Sequence, residues 1–354
     1  MTSRPRPIAI THGDAAGIGP EIIAKLYRDS PESVRDCVVV GDAAVMQRAL
    51  QLVCDPQTVL GIHIQPLHDL KQWRPQTSVL QVMQMGEPLS VLQLPAWGQI
   101  SAQAGRLAAD AVIWAADAAL QGEISALVTA PINKAALSAA GVLFPGHTEL
   151  LQDRAAKHAG VAISDMPVRM MLANRELRTV LTSIHVSLRQ AIEAVTTPNI
   201  VQTIQITHEA ERLNLGRAPH IAVAGLNPHA GEGGLMGREE IDIILPAIEQ
   251  AKRLGIQVSG PYPPDTVFMR ARTQPDRAGE FDVVVCMYHD QGLIPVKYLG
   301  VEHGVNLTLG LPLIRTSPDH GTAFDIAALG VADPSSLREA LEMARRLVSN
   351  RLLG

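Results

Sequence analysis

The chain has 354 residues, of which 47% are hydrophobic, 18% charged and 3% aromatic, with a net charge of -5 at pH 7. That length buries a full-sized core and exceeds the usual single-domain range, so two lobes are expected in a soluble globular α/β protein. Few aromatics, a negative balance and no Lys/Arg-rich run exclude a base-stacking nucleic-acid surface, and no apolar run reaches the roughly 18 to 20 residues that span a bilayer. Cys37, Cys54 and Cys286 are widely spaced with no CxxC pair. They indicate neither a disulfide framework nor a thiolate zinc site, and they fit a cytoplasmic setting, as does an N-terminal apolar stretch too short for a signal peptide.

In chain order, PIAITHGDAAGIGPEIIAKLY reads as strand, glycine-rich turn and helix, with Pro20 at or near the first helical position. The amides of such a turn make an anion site conceivable, with Asp14 able to orient a polar ligand. The turn is neither GxGxxG nor a P-loop, and a mere tight connection is the competing reading. CVVVGD follows as a second strand. Residues 54 to 100, broken by Pro, Gln and Trp73, predict an antiparallel edge or long loops without chemistry.

SAQAGRLAADAVIWAADAALQ predicts a helix with an alanine-rich face, on which Trp114 is core. ALVTAPINKAAL is again strand, turn and helix, placing Asn133 and Lys134 at the strand's carboxyl end, and GVLFPGHTELL presents His147 and Thr148. The competing reading of that pair is a local cap, with Thr148 or Glu149 opening the next helix. Thr197 is expected to cap a later helix. IAVAGLNPHAGEGGLMGREEIDIILPAIEQAKRLG gives strand, glycine loop without GxGxxG spacing, and a helix that Glu239 and Glu240 suit as a start. A closing amphipathic helix begins near Asp333-Pro334 with Leu337, Leu341, Ala344 and Leu347 on one face.

His185, His229 and His289 each follow a short apolar run that reads as a buried parallel strand. Ligands of open α/β sheets collect beyond the carboxyl ends of strands, so three imidazoles delivered there form a plausible divalent-metal set with an open position for substrate. Asp290 and Glu232 are carboxylates nearby in sequence. The competing reading is chance, since twelve histidines will place some at strand ends. Lys297, Asn306 and Arg315 lie in an apolar, glycine-rich stretch, where isolated cations face a cleft holding an anionic ligand or else pair with Asp290 or Asp319.

GDAAGIGPE, APINK, PGHTE, GLNPHAGEGG, MYHDQG and GVNLTLGLPLIRTSPDHGTA together resemble the 4-hydroxythreonine-4-phosphate dehydrogenase family of vitamin B6 biosynthesis, over about residues 7 to 349. The resemblance implies two α/β/α lobes related to isocitrate and isopropylmalate dehydrogenases, with the active site in the cleft between them. The approximate lobes are residues 1–135 plus 304–354, and residues 136–303. It implies a cytoplasmic homodimer able to share its active site between subunits, with a small phosphorylated substrate and neither nucleic acid nor membrane as partner.

The same resemblance implies oxidation of 4-phosphohydroxythreonine at C3 with NAD or NADP, then decarboxylation to 3-amino-2-oxopropyl phosphate. A divalent zinc, magnesium or cobalt ion is implied on His185, His229 and His289, with substrate contacts at His147, Thr148, Lys297, Asn306 and Arg315. Asp290 and Lys297 are candidates for the proton-accepting group. Loops around Gly231, Gly233, Gly234, Asp319 and His320 are candidates for the dinucleotide. The family usually has proline where this chain has Ala15, which puts the rigidity of the first turn in question. The alternatives are a D-threonate or D-erythronate 4-phosphate dehydrogenase and, from another class, a metal-dependent hydrolase or isomerase of a phosphorylated substrate. The branch acting on aromatic cis-dihydrodiols is disfavoured.

Overall fold

A computed structural model describes residues 5–55 and 61–353. Residues 1–4 of the N-terminal segment, 56–60 of the stretch read as edge or loop, and 354 lie outside the described residues. The chain runs β1 (Ile8–Thr11), α1 (Gly19–Asp29), β2 (Cys37–Gly41), α2 (Ala43–Val53), β3 (His63–Leu67), β4 (Val79–Gln84), α3 (Ala102–Leu120), β5 (Ala126–Thr129), α4 (Lys134–Ala139) and α5 (His147–Ala159). It continues through β6 (Arg169–Ala173), β7 (Arg178–Leu181), α6 (Leu188–Glu193), α7 (Thr197–Leu215), β8 (Ile221–Ala224), α8 (Leu245–Arg253), β9 (Val258–Tyr262) and α9 (Val267–Ala271). It closes with β10 (Val283–Cys286), α10 (His289–Tyr298), β11 (Val305–Leu309), β12 (Arg315–Pro318) and α11 (Ser335–Leu353).

The chain divides into two compact units, Met1–Pro167 with Leu311–Val348, and Val168–Gly310 with Ser349–Gly354. The expected boundary near 135 therefore falls later. The physical reason is the helix α5, whose Leu150 and Leu151 are buried in the same core cluster as Ala9, Val38 and Leu127 of the first unit.

In the first unit the strands lie in the order β3-β4-β2-β1-β5-β12. Every pairing there is parallel. CVVVG of β2 and ALVT of β5 are buried along their whole length, as β-branched runs covered on both faces require. The antiparallel edge expected in residues 54 to 100 is overturned, since β3 and β4 extend the sheet in parallel. Trp73, which looked like an interruption there, is 2% exposed, and its indole N–H donates to Cys37 O at 3.0 Å. Trp114 packs partly buried against the core cluster, as expected.

In the second unit the order is β11-β6-β7-β10-β8-β9. β6 runs antiparallel to β7 and β11, while β7, β10, β8 and β9 are mutually parallel. The cap of α7 is Thr196, not Thr197: its hydroxyl accepts from Asn199 N, with proline in the first turn. Glu240 does not simply open an α-helix but begins a π-helical turn, Glu240–Ile244, ahead of α8. On α11, Leu337, Leu341 and Ala344 are fully buried, and Leu347 is half-buried.

Candidate active site

In the second unit, His185, His229 and His289 stand four, five and three positions beyond the last residues of β7, β8 and β10. These strands are immediate parallel neighbours in the order β7-β10-β8. The fold thus delivers the three histidines to one sheet edge, where open α/β sheets collect ligands. The His185 and His289 rings are 5.8 Å apart between centroids. Two imidazoles sharing a metal at a nitrogen distance of roughly 2.1 Å have centroids roughly 5 Å apart, so this pair is close to a shared position. His289 Nδ1 meets Asp290 Oδ1 at 2.6 Å, an arrangement that favours the proton on Nδ1 and leaves Nε2 for a metal. In kind, these donors fit a first-row divalent ion. In arrangement they fall one short, since no group of three His, Cys, Asp or Glu that could hold a metal is assembled among the described residues of one chain.

His229 sits in a loop of unusual backbone. From His229 through Gly234 every φ is positive, including 52° at His229, 52° at Ala230 and 43° at Glu232. Left-handed backbone costs an L-residue with a side chain about 1–2 kcal/mol, so three such residues store several kcal/mol that the surroundings must offset. The compensation comes from Glu240, 3% exposed. Its Oε1 accepts from Leu226 N and Asn227 N, both at 2.7 Å, and its Oε2 accepts from Asn227 Nδ2 at 2.9 Å. A Cβ at Gly231 would come within 2.7 Å of that carboxylate, so the loop closes on Glu240 only with glycine there.

In the first unit, Arg315 on β12 is 5% exposed, and its guanidinium donates to Thr129 Oγ1 at 2.8 and 3.1 Å. Burial pushes its pKa down to about 10, with the Glu149 carboxylate opposing the shift, so it stays cationic at neutral pH. His147 is held well below the ordinary imidazole value, first by burial and then by the Arg315 charge. It is therefore neutral, and its Nε2 is buried without a protein partner. His147 and Thr148 do not precede a helix as its cap. They are the first residues of α5, behind a Gly146 cap that offers no side-chain oxygen. First-turn amides without a capping side chain, a neutral imidazole and a buried cation together suit an anionic ligand group. In the second unit, Lys297 is exposed in the last turn of α10 and Asn306 is half-buried on β11.

The first glycine turn is a packed connection. Asp14, fully buried, turns its Oδ1 onto Ala16 N at 2.8 Å, and burial raises its pKa to about 6. Ala15 needs no proline to be rigid: Arg48 donates to Ala15 O at 2.7 Å, and Gly98 N donates to Ala16 O at 2.8 Å. A Cβ at Gly19 would stand 2.5 Å from His12 O, so the space a phosphate would need is filled by the chain itself. Asn133 also turns out to be a cap, accepting from Ala136 N.

Of the cofactor candidates, Gly231, Gly233 and Gly234 belong to the second unit, Asp319 and His320 to the first. His320 Nε2 is buried with no protein partner, an atom a nucleotide could engage. Thr129 and Gln291 were not singled out in the sequence, and Glu240 only as a helix-start charge. A Glu-Glu pair after a glycine loop reads as helix-start charge, and spacing does not say which of the two turns inward.

These features define an α/β fold with imidazoles on one parallel-strand edge and a buried arginine-histidine pair at another. The chain belongs to the family described as pyridoxal phosphate biosynthetic protein PdxA, whose profile matches residues 33–344. The 4-hydroxythreonine-4-phosphate dehydrogenase of Beijerinckia indica subsp. indica is 50% identical over 348 residues, covering 98% of this chain and 96% of that protein. The D-threonate 4-phosphate dehydrogenase of Pectobacterium atrosepticum is 42% identical over 340 residues, covering 96% of this chain and 98% of that one. A crystal structure of 4-hydroxythreonine-4-phosphate dehydrogenase from Klebsiella pneumoniae matches with a TM-score of 0.82 at 40% identity, covering 97% of this chain and 99% of that one.

Proposed function

We propose that the chain is a dehydrogenase that oxidises the C3 hydroxyl of 4-phosphohydroxythreonine, the resulting β-keto acid losing CO2 to give 3-amino-2-oxopropyl phosphate. The observation that carries this reading is the placement of His185, His229 and His289 beyond three adjacent parallel strands, in a chain 50% identical to an enzyme of that name. These histidines would hold zinc, magnesium or cobalt. A bound divalent ion and NAD or NADP would supply polarisation of the C3 oxygen and a hydride acceptor.

The chain's own residues do the rest. Arg315, His147 and Thr148 would bind the phosphate or carboxylate through a buried cation and uncapped first-turn amides, with Asn306 a further contact. Asp290, bonded to His289 Nδ1, would orient that imidazole, and Asp290 and Lys297 are the two candidates for the group that takes the hydroxyl proton. Asp319, His320 and the glycines from Gly231 to Gly234 are the places for the dinucleotide.

The protein would act as a homodimer that completes the histidine set across subunits. The segments bearing His185 and His229 also carry Leu188, 61% exposed, and Leu235, 85% exposed, apolar surface that a second copy would cover. Mixing His229→Ala with His289→Ala protein should restore activity in hybrid dimers. No recovery after proven subunit exchange would place the whole set within one chain.

The relative from Pectobacterium atrosepticum favours one second reading, a D-threonate 4-phosphate dehydrogenase. The two substrates share phosphate, carboxylate and C3 alcohol, so discrimination rests on contacts at C2. The test is kcat/KM with NAD for both phosphates in the presence and absence of chelator. A tenfold preference for D-threonate 4-phosphate, about 1.4 kcal/mol, overturns the substrate assignment, and full activity in chelator overturns the metal.

A further inference from the structure

The three histidine loops are tied to one another by a single row of hydrogen bonds that passes through Gln291. Ser183, two residues before His185, donates from its hydroxyl to Met287 O at 3.0 Å. Met287 N, two residues before His289, donates to Gln291 Oε1 at 2.7 Å. Gln291 Nε2 in turn donates to Gly225 O at 2.7 Å, at the start of the loop that carries His229. Gln291 is 8% exposed, so neither of its bonds competes freely with water. The bonds cross β7, β10 and β8 in their order in the sheet.

We propose that Gln291 is a positioning residue that sets the spacing of the three histidine loops, with Ser183 and Glu240 as its supports. The amide is suited to this because it accepts from one loop and donates to the other at once. A carboxylate at this position could only accept, and it would face the Gly225 carbonyl with no proton to offer. An apolar side chain of similar length would leave both Met287 N and Gly225 O buried without partners. Glu240 fixes the next two residues of the same loop, Leu226 and Asn227, so the left-handed turn at His229 begins from a backbone held at three consecutive positions.

The role rests on the metal reading above, and the experiment separates the two. Gln291→Met, Gln291→Glu and Ser183→Ala are compared with wild type, with Ser183→Thr as the variant that keeps the hydroxyl. In metal-free protein, hydrogen exchange by mass spectrometry should speed up in residues 183–187 and 225–234 of Gln291→Met, with the strands of the first unit unchanged. In titrations with Co2+ alone, the Gln291 variants should bind 10- to 100-fold more weakly, the range expected when support to a ligand is removed. The Co2+ absorption spectrum should change, Ser183→Thr should keep wild-type affinity, and metal-free Gln291→Met, with two buried backbone groups left unpaired, should lose several degrees of thermal midpoint. Unchanged exchange in both loops overturns the proposal, as does a fall in thermal midpoint with Co2+ affinity intact. Should wild type itself bind no Co2+, the proposed function fails, while the exchange measurement still decides the role of Gln291.

Discussion

The chain has two glycine-rich turns after parallel strands, GDAAGIG behind β1 and NPHAGEGG behind β8, and they weight the two uses of glycine differently. In the first, Gly19 is needed because a Cβ would strike His12 O at 2.5 Å, and the segment is buried throughout. In the second, the glycines take positive φ beside His229, Ala230 and Glu232, and His229 is exposed. Close packing dominates in the first, where Gly13 alone of its three glycines has positive φ; positive φ dominates in the second, where Gly231 is also needed for close approach to Glu240. The first therefore serves packing and the second presents a residue of the candidate site, although both are glycine-rich turns without GxGxxG spacing.

The largest effect that tests this contrast is His229→Gly. On the proposed function, loss of the His229 imidazole should lower kcat/KM on the order of 10³-fold, while relief of a left-handed side chain should raise stability by about 1 kcal/mol. A variant that loses both activity and stability would mean that His229 serves the fold. Next is Gly19→Ala, expected to cost about 3 kcal/mol in denaturant unfolding through overpacking against backbone. A cost below about 1 kcal/mol would show that the first turn has slack after all.

A third effect concerns pH. Burial lowers the His12 pKa from 6.5 to about 4, so its contribution is present above 6.5 and is lost as pH falls towards 4. Burial raises Asp14 from 3.8 to about 6, so its contribution is present below 3.8 and is lost as pH rises through 6. Between about 4 and 6 the two oppose each other. Asp14→Asn should remove the second alone, making stability fall more steeply with acid than in wild type, by about 2–3 kcal/mol across that window. Parallel pH profiles for variant and wild type would refute the buried, protonated Asp14. The smallest effect is Gly233→Ala. Nothing lies within 4 Å of the new Cβ, so only the positive φ is penalised, by about 1 kcal/mol.

Much of this was legible in the sequence because the signals are local. Runs such as VVVC, IAVA and CVVVG announce buried strands, and histidines just beyond them announce the edge where they meet. What sequence could not supply was non-local. Trp73, in the connection between β3 and β4, reaches the Cys37 carbonyl on β2, a partner no spacing reveals. The inward turn of Glu240 and the double bond of Gln291 depend on which loop lies opposite. Thr196 and Thr197 are equivalent as letters, and only the backbone at the helix start chooses between them.

One feature of the fold bears on how the protein is made. Glu21 and Lys25 on α1 grip Ala332, Oε1 accepting from its N–H at 2.8 Å and Nζ donating to its carbonyl at 2.5 Å, across sequence separations of 311 and 307. β5 likewise pairs with β12, near the far end of the sequence. The first unit thus cannot close until the chain through Ala332 has left the ribosome, whereas Val168–Gly310 of the second unit emerges as one uninterrupted stretch. During synthesis the later-encoded unit can condense first, and the N-terminal half waits as an open sheet whose β5 edge is a target for wrong pairing. The buried Glu21–Lys25 clasp on Ala332 is a contact that ends that wait.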